Sequence, residues 1–272
     1  MGAKGTEFFP GLNLSEAYYH KIVAPIIKSS FPSLRYSVGL LGSGSEVLGY
    51  DTPQSMHHNW GLRLFIFLTD RDFALKQKID EELRKSLPAT FKGNSTSFEP
   101  PDSRGVRIAR SPKDSKSLEV DHYILFFTIR SFFEEYFGKY ADPDIFAWLT
   151  ISQQKLLEVT SGKVFHDDLG LRSEIGKFRY YPRDIWLYNL ASQWSRISQE
   201  ENFVGRASQA GDELGSRIIG ARMVKELMEL SFLLEKKYSP YSKWFGTAFS
   251  HLMIAKKIET GFDPYFRSRE LS

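Results

Sequence analysis

The chain has 272 residues, 42% hydrophobic and 25% charged, enough to bury one large core or two modest ones. Its 36 basic and 33 acidic residues leave a formal charge of only +3, which argues against the concentrated positive field of a dedicated nucleic-acid binder. Cysteine is absent, so disulfides, thiolate zinc sites and a cysteine nucleophile are excluded, as expected of an intracellular, cytoplasmic protein.

Met1 to Thr6 formally satisfies the pattern that makes Gly2 a myristoylation acceptor. Six loosely defined positions match often by chance, and one acyl chain anchors only weakly, so residues 1–13 are read as a flexible N-terminus. The longest apolar runs, Leu64 to Leu68 and Tyr123 to Ile129, fall far short of the ~20 residues that cross a bilayer. They read as buried strands, and no integral membrane association is expected.

Leu14 to Ser30 has helical apolar spacing behind Ser15 as a candidate N-cap, with Pro25 expected to bend or split the helix. Tyr36 to Leu41 reads as a strand running into Gly42-Ser43-Gly44-Ser45, after which Glu46-Val47-Leu48 is expected to begin a turn of helix. A second strand spans Leu62 to Thr69, followed by a charged helix from about Asp72 to Ser86. The third strand is Asp121 to Thr128. From Ile129 the period turns helical, with Phe132, Phe133 and Phe137 on one face and Gly138 at the end.

Helices dominate the remainder, over Ile185 to Glu201 and Glu213 to Lys237. On the first of these, Leu187, Leu190, Ala191, Trp194 and Ile197 form an apolar stripe, while Gln193, Arg196 and Glu200 share an adjacent face. The fold class expected is α/β (α+β), with a mixed sheet and helices over 14–140 and a helical bundle over 141–272.

A strand ending in Gly-Ser lets backbone approach a phosphate, whose oxygens can be cradled by successive N–H groups and the hydroxyls of Ser43 and Ser45. Gly42 to Asp51 reads Gly-Ser-Gly-Ser-Glu-Val-Leu-Gly-Tyr-Asp, and His57 to Arg63 reads His-His-Asn-Trp-Gly-Leu-Arg. These stretches resemble a family of uncharacterised bacterial and fungal proteins assigned to the DNA polymerase beta nucleotidyltransferase superfamily. Val164 to Asp167, Gln199 to Glu201, Phe203 to Arg206, Gly211 to Arg217 and Pro240 to Trp244 are similar to that family as well.

The resemblance implies two aspartates spaced i, i+2 on one strand, holding Mg²⁺ on nucleotide phosphates, with a third carboxylate from a neighbouring strand. This chain departs at each place: the pair becomes His57 and Asn59, and Leu125 stands where the third acid is expected. Exchanging carboxylates for an imidazole and an amide removes the charge that draws the ion in. No metal ligands are therefore assigned and Mg²⁺ is not expected, although Asp51 and Glu46 lie nearby as replacement ligands for a weak site.

The functional expectation is a divergent nucleotidyltransferase-fold protein that binds a small molecule or a nucleotide such as ATP in a cleft between its domains, without Mg²⁺-dependent nucleotidyl transfer. His57 is the candidate acid or base. Gly42, Ser43, Ser45, Asn59, Arg63, Glu200, Arg206 and Lys243 are the candidate ligand-binding residues, Arg63 because guanidinium donates paired hydrogen bonds to phosphate or carboxylate. Two alternatives stay open, an active nucleotidyltransferase acting on a small hydroxyl or amine and a non-catalytic regulatory protein. Oligomeric state is not readable from the sequence.

Overall fold

The computed structural model describes residues 8–56, 59–111, 119–138 and 143–258. In chain order the helices and strands are α1 (Gly11–Tyr18), α2 (Ala24–Ser30), β1 (Tyr36–Leu40), β2 (Arg63–Leu68), α3 (Lys76–Ser86), β3 (Thr90–Phe91), β4 (Asn94–Ser95), β5 (Tyr123–Phe127) and α4 (Ile129–Phe137). They continue with α5 (Ile145–Thr150), α6 (Gln153–Thr160), β6 (Lys163–Asp167), α7 (Leu171–Gly176), α8 (Arg183–Glu200), α9 (Phe203–Gln209), α10 (Glu213–Leu234) and α11 (Ser242–Ser250). The protein is therefore mixed α/β, with a helical C-terminal region. It divides into two units, Met1–Asp142 with Glu158–Phe178 and Pro143–Leu157 with Arg179–Ser272. No helix among the described residues is long and apolar enough to cross a membrane.

The first unit is built on a four-stranded sheet in the order β5-β2-β1-β6. β1 runs antiparallel to both β2 and β6, while β2 and β5 are parallel. Every residue of β2 is buried, which is why it reads as an unbroken apolar run rather than an alternating one. Its two faces go to different layers. Leu64, Ile66 and Leu68 join a core with Leu14, Tyr18, Val23, Ile27, Ile79 and Leu83 from the helices. Phe65 and Phe67 instead meet Phe132 of α4, with ring centroids 6.0 and 5.4 Å apart. Burying each such side chain contributes roughly 1.5–3 kcal/mol.

Three local expectations are corrected. Ser15 is not an N-cap: α1 starts at Gly11 behind Pro10, and the buried Ser15 hydroxyl donates to the Gly61 carbonyl at 3.2 Å. The Pro25 disturbance takes the form of a π-helical turn, Tyr19–Val23, after which α2 resumes with proline in its first turn. Glu46 to Gly49 forms turns rather than helix, closed by the Tyr50 N–H donating to the Ser45 carbonyl at 2.8 Å.

α4 follows the sequence expectation, capped by Thr128 at its start and by Gly138 at φ 77° at its end. The fourth strand, β6, was not anticipated. It pairs with β1 through Ser37 opposite Asp167 and Leu40 opposite Lys163, with a bulge at Val38 and Gly39.

In the second unit α8 and α10 pack together, and the apolar stripe expected on α8 does not form its buried face. Leu187 and Trp194 are 43% and 54% exposed, whereas Gln193 is only 1% exposed. Ile185 and Ile197 supply the apolar anchors. Between them the contact is polar, because Gln193 Nε2 donates both to the Glu226 carbonyl at 2.8 Å and to its carboxylate at 2.7 Å.

Candidate functional site

β1 delivers the chain into the Gly42 to Ser45 elbow, and the glycines there are required by geometry. Gly42 has φ 85° and Gly44 φ 147°, in the region that side chains disfavour. A Cβ on Gly42 would lie 2.1 Å from the Tyr136 hydroxyl, and one on Gly44 would lie 2.6 Å from Arg63 Nη2. Beneath the elbow Arg63 and Glu46 form an ion pair at 2.5 Å, with side chains only 3% and 2% exposed. Arg63 Nη2 also donates to the Ser43 carbonyl at 2.9 Å. Its Nε is buried with no hydrogen-bond acceptor among the described residues.

Arg63 projects on the same face of β2 as Phe65, and in-register pairing brings Tyr123 and Leu125 of β5 beside them. The Tyr123 ring lies 5.6 Å from the Arg63 guanidinium. Leu125, where a third acid was looked for, is half-buried opposite Phe65.

The first two backbone donors of the elbow are in use. The Gly42 N–H donates to the Glu158 carbonyl at 2.9 Å, and the Ser43 N–H donates to the Tyr136 hydroxyl at 3.2 Å. Tyr136 comes from α4, one turn beyond Phe132, whose ring it meets at 4.8 Å. Burial, with the Glu158 charge adding to it, pushes the Tyr136 phenol up to about 12, so it stays a neutral hydroxyl at physiological pH. Its aromatic spacing on α4 was visible in the sequence, but its reach to an elbow 93 residues earlier was not.

The two acids considered as replacement metal ligands are held elsewhere. Glu46 belongs to Arg63. Asp51 Oδ2 accepts the Gly11 N–H at 2.7 Å and the Trp60 indole at 3.0 Å, joining the start of α1 to the approach to β2. Asn59 adopts a positive φ of 50°, a conformation asparagine tolerates. Its side-chain oxygen accepts from the Arg107 N–H at 2.9 Å and from the Tyr123 hydroxyl at 3.1 Å. Among the described residues no group of three or more His, Cys, Asp or Glu side chains is placed to hold a metal ion.

Ser43 is exposed at the elbow and Ser45 half-buried, so Gly42, Ser43, Ser45 and Arg63 do come together. His57 and His58 lie outside the described residues, as does the Met1 to Thr6 myristoylation pattern. In the second unit Glu200 pairs with Arg222, Arg206 is exposed on α9, and Lys243 on α11 stands 4.8 Å from the Trp244 ring. No hydrogen bond or ion pair among the described residues joins these three to one another.

Comparison with known proteins bears on the second half. Residues 148–245 match the model of a family described as Domain of unknown function (DUF4037). No curated protein and no solved structure shows significant similarity to the chain.

Proposed function

We propose that the protein is a divergent member of the nucleotidyltransferase superfamily that binds a small molecule or nucleotide at the glycine-serine elbow and does not carry out Mg²⁺-dependent nucleotidyl transfer. The observation that carries this reading is the internal engagement of both nearby acids, Glu46 by Arg63 and Asp51 by Trp60 and Gly11. A carboxylate neutralised by a buried guanidinium is a poor ligand for a hard cation that demands anionic oxygen. The elbow nevertheless has the shape that accepts an oxygen, since the Ser43 N–H already holds the Tyr136 hydroxyl. A ligand oxygen would take that position by displacing it, with the exposed Ser43 hydroxyl beside it. His57 remains the proposed acid or base of this site.

Calorimetric titration with ATP, in Mg²⁺ and again in EDTA, tests the proposal together with pyrophosphate release in the presence of a metabolite extract. Binding of equal strength with and without the metal, and no release, is the expected result. Robust Mg²⁺-dependent release from any nucleoside triphosphate would overturn it.

A further inference from the structure

A concave site of about 490 Å³ lies wholly within the helical unit, of a size that accepts small molecules rather than macromolecules. One wall comes from α8, where Asn189, Ser192, Gln193 and Arg196 recur at helical spacing on a single face. The opposite wall is α10, with Glu226 and Glu229. The whole site falls inside the segment that matches the domain model.

Its charged groups differ in how well they are matched. Glu226 is satisfied internally, accepting from Gln193 Nε2 at 2.7 Å and from Arg196 Nε at 3.3 Å, while Arg196 also donates to the Gln193 side-chain oxygen. Glu229 accepts one hydrogen bond, from the Ser239 hydroxyl at 3.0 Å, and no cation stands within ion-pairing distance among the described residues. Burial holds its carboxyl above the usual range, partly offset by the Ser239 bond and by the charges of Lys225, one turn earlier, and Arg196, with the Glu226 charge adding to the rise. The Tyr181 phenol, pushed up to about 12 by burial and by the Glu229 charge, stays neutral beside it.

A carboxylate drawn into a pocket without a counterion is stabilised by any ligand that brings one. Tyr181 and Tyr188 add aromatic faces, which favour an ammonium over a neutral group. Two bases line the space beside the two acids, Arg196, which is paired with Glu226, and the exposed Lys225, and neither forms an ion pair with Glu229. We propose that this pocket binds a small hydroxylated organic cation, its ammonium against Glu229 and its hydroxyls against Asn189 and Ser192. The site is separate from the elbow and does not depend on what the elbow binds.

Thermal-shift and calorimetric titration of the full chain with ethanolamine, Tris, glucosamine and spermidine, each beside ethylene glycol and glucose as neutral counterparts, tests this directly. At least one hydroxylated amine is expected to bind while the neutral compounds do not. Glu229→Gln preserves shape and the Ser239 contact, and is expected to weaken that binding by roughly tenfold or more. Asn189→Leu, at a half-buried helix position, should weaken it independently, and Glu213→Gln in an exposed pair should leave it unchanged. Failure of every amine to bind, or equal binding by Glu229→Gln, overturns the proposal. Binding by spermidine alone overturns the assignment of hydroxyl recognition to Asn189 and Ser192.

Discussion

The two units differ in what joins their central elements and in how much apolar surface they leave outside. In the sheet unit, apolar side chains fill both faces of β2, and the buried charges are few and paired, as Arg63 is with Glu46. In the helical unit the contact between α8 and α10 runs through Gln193 and Glu226, and apolar side chains such as Leu187, Trp194, Ile218 and Val224 face outward. Apart from Phe9, Met56 and Ile108, all the exposed large apolar residues among those described belong to the helical unit. Both units bury mainly apolar residues, but the contact between α8 and α10 also depends on hydrogen bonding that must remain complete.

The largest expected effect is in the sheet unit. Arg63→Met leaves Glu46 buried without a partner and should cost about 3–5 kcal/mol in urea unfolding, most of it recovered when Glu46→Leu is added. Acid comes next. His122 is buried before β5, accepting the Ile124 N–H through Nδ1 at 3.2 Å, with Asp80 3.5 Å from Nε2 and Arg84 and Asp121 close by. Burial first, and the Arg84 charge against that of Asp80, lower its pKa from 6.5 to about 4. The unfolded chain thus takes up this proton first. The contribution is complete above about pH 6.5 and is lost as pH falls to about 4, on the order of 3 kcal/mol, readable from urea curves across that range. His122→Phe should flatten that segment of the profile.

In the helical unit Gln193→Ala, which strips Glu226 and Arg196 of a shared partner, should cost about 1–3 kcal/mol by thermal or urea unfolding. Tyr136→Phe removes one hydrogen bond from the elbow, for about 1 kcal/mol of stability. It frees the Ser43 N–H, so calorimetry should find ATP bound more tightly than by the parent chain. Trp194→Gln, a larger change in chemistry than Gln193→Ala but on the outside of the same helix, should shift stability by no more than about 0.5 kcal/mol. A cost for Trp194→Gln above that for Gln193→Ala would show that the polar contact is not what holds α8 to α10.

Much of the sheet unit was legible because its strands and α4 are written in local pattern. Leu64 to Leu68 is apolar at every position, and Phe132 with Phe133 sets the helical face of α4. β6 was not, since Lys163-Val164-Phe165-His166-Asp167 is short, half polar and finds its partner strand more than a hundred residues earlier. The elbow could be read from its glycines. Its chemistry could not, because whether Arg63, Glu46 and Asp51 meet ligands or one another depends on contacts between distant segments. Which side of α8 packs against α10 was not legible for a related reason: periodicity identifies which residues share a face, and tertiary packing decides which face turns inward.

The π-helical turn at Tyr19–Val23 stores one surplus residue in the path between α1 and α2. Held in the wider turn, that residue leaves the flanking helices in register, so Leu14 and Tyr18 stay fully buried and Gly11 stays on the Asp51 carboxylate. Deleting one residue between Tyr19 and Val23 is therefore expected to leave a continuous α-helix with both flanks in place. The same deletion inside α1, where each residue turns the chain by about 100°, should do far more damage because it carries the residues before it off the core.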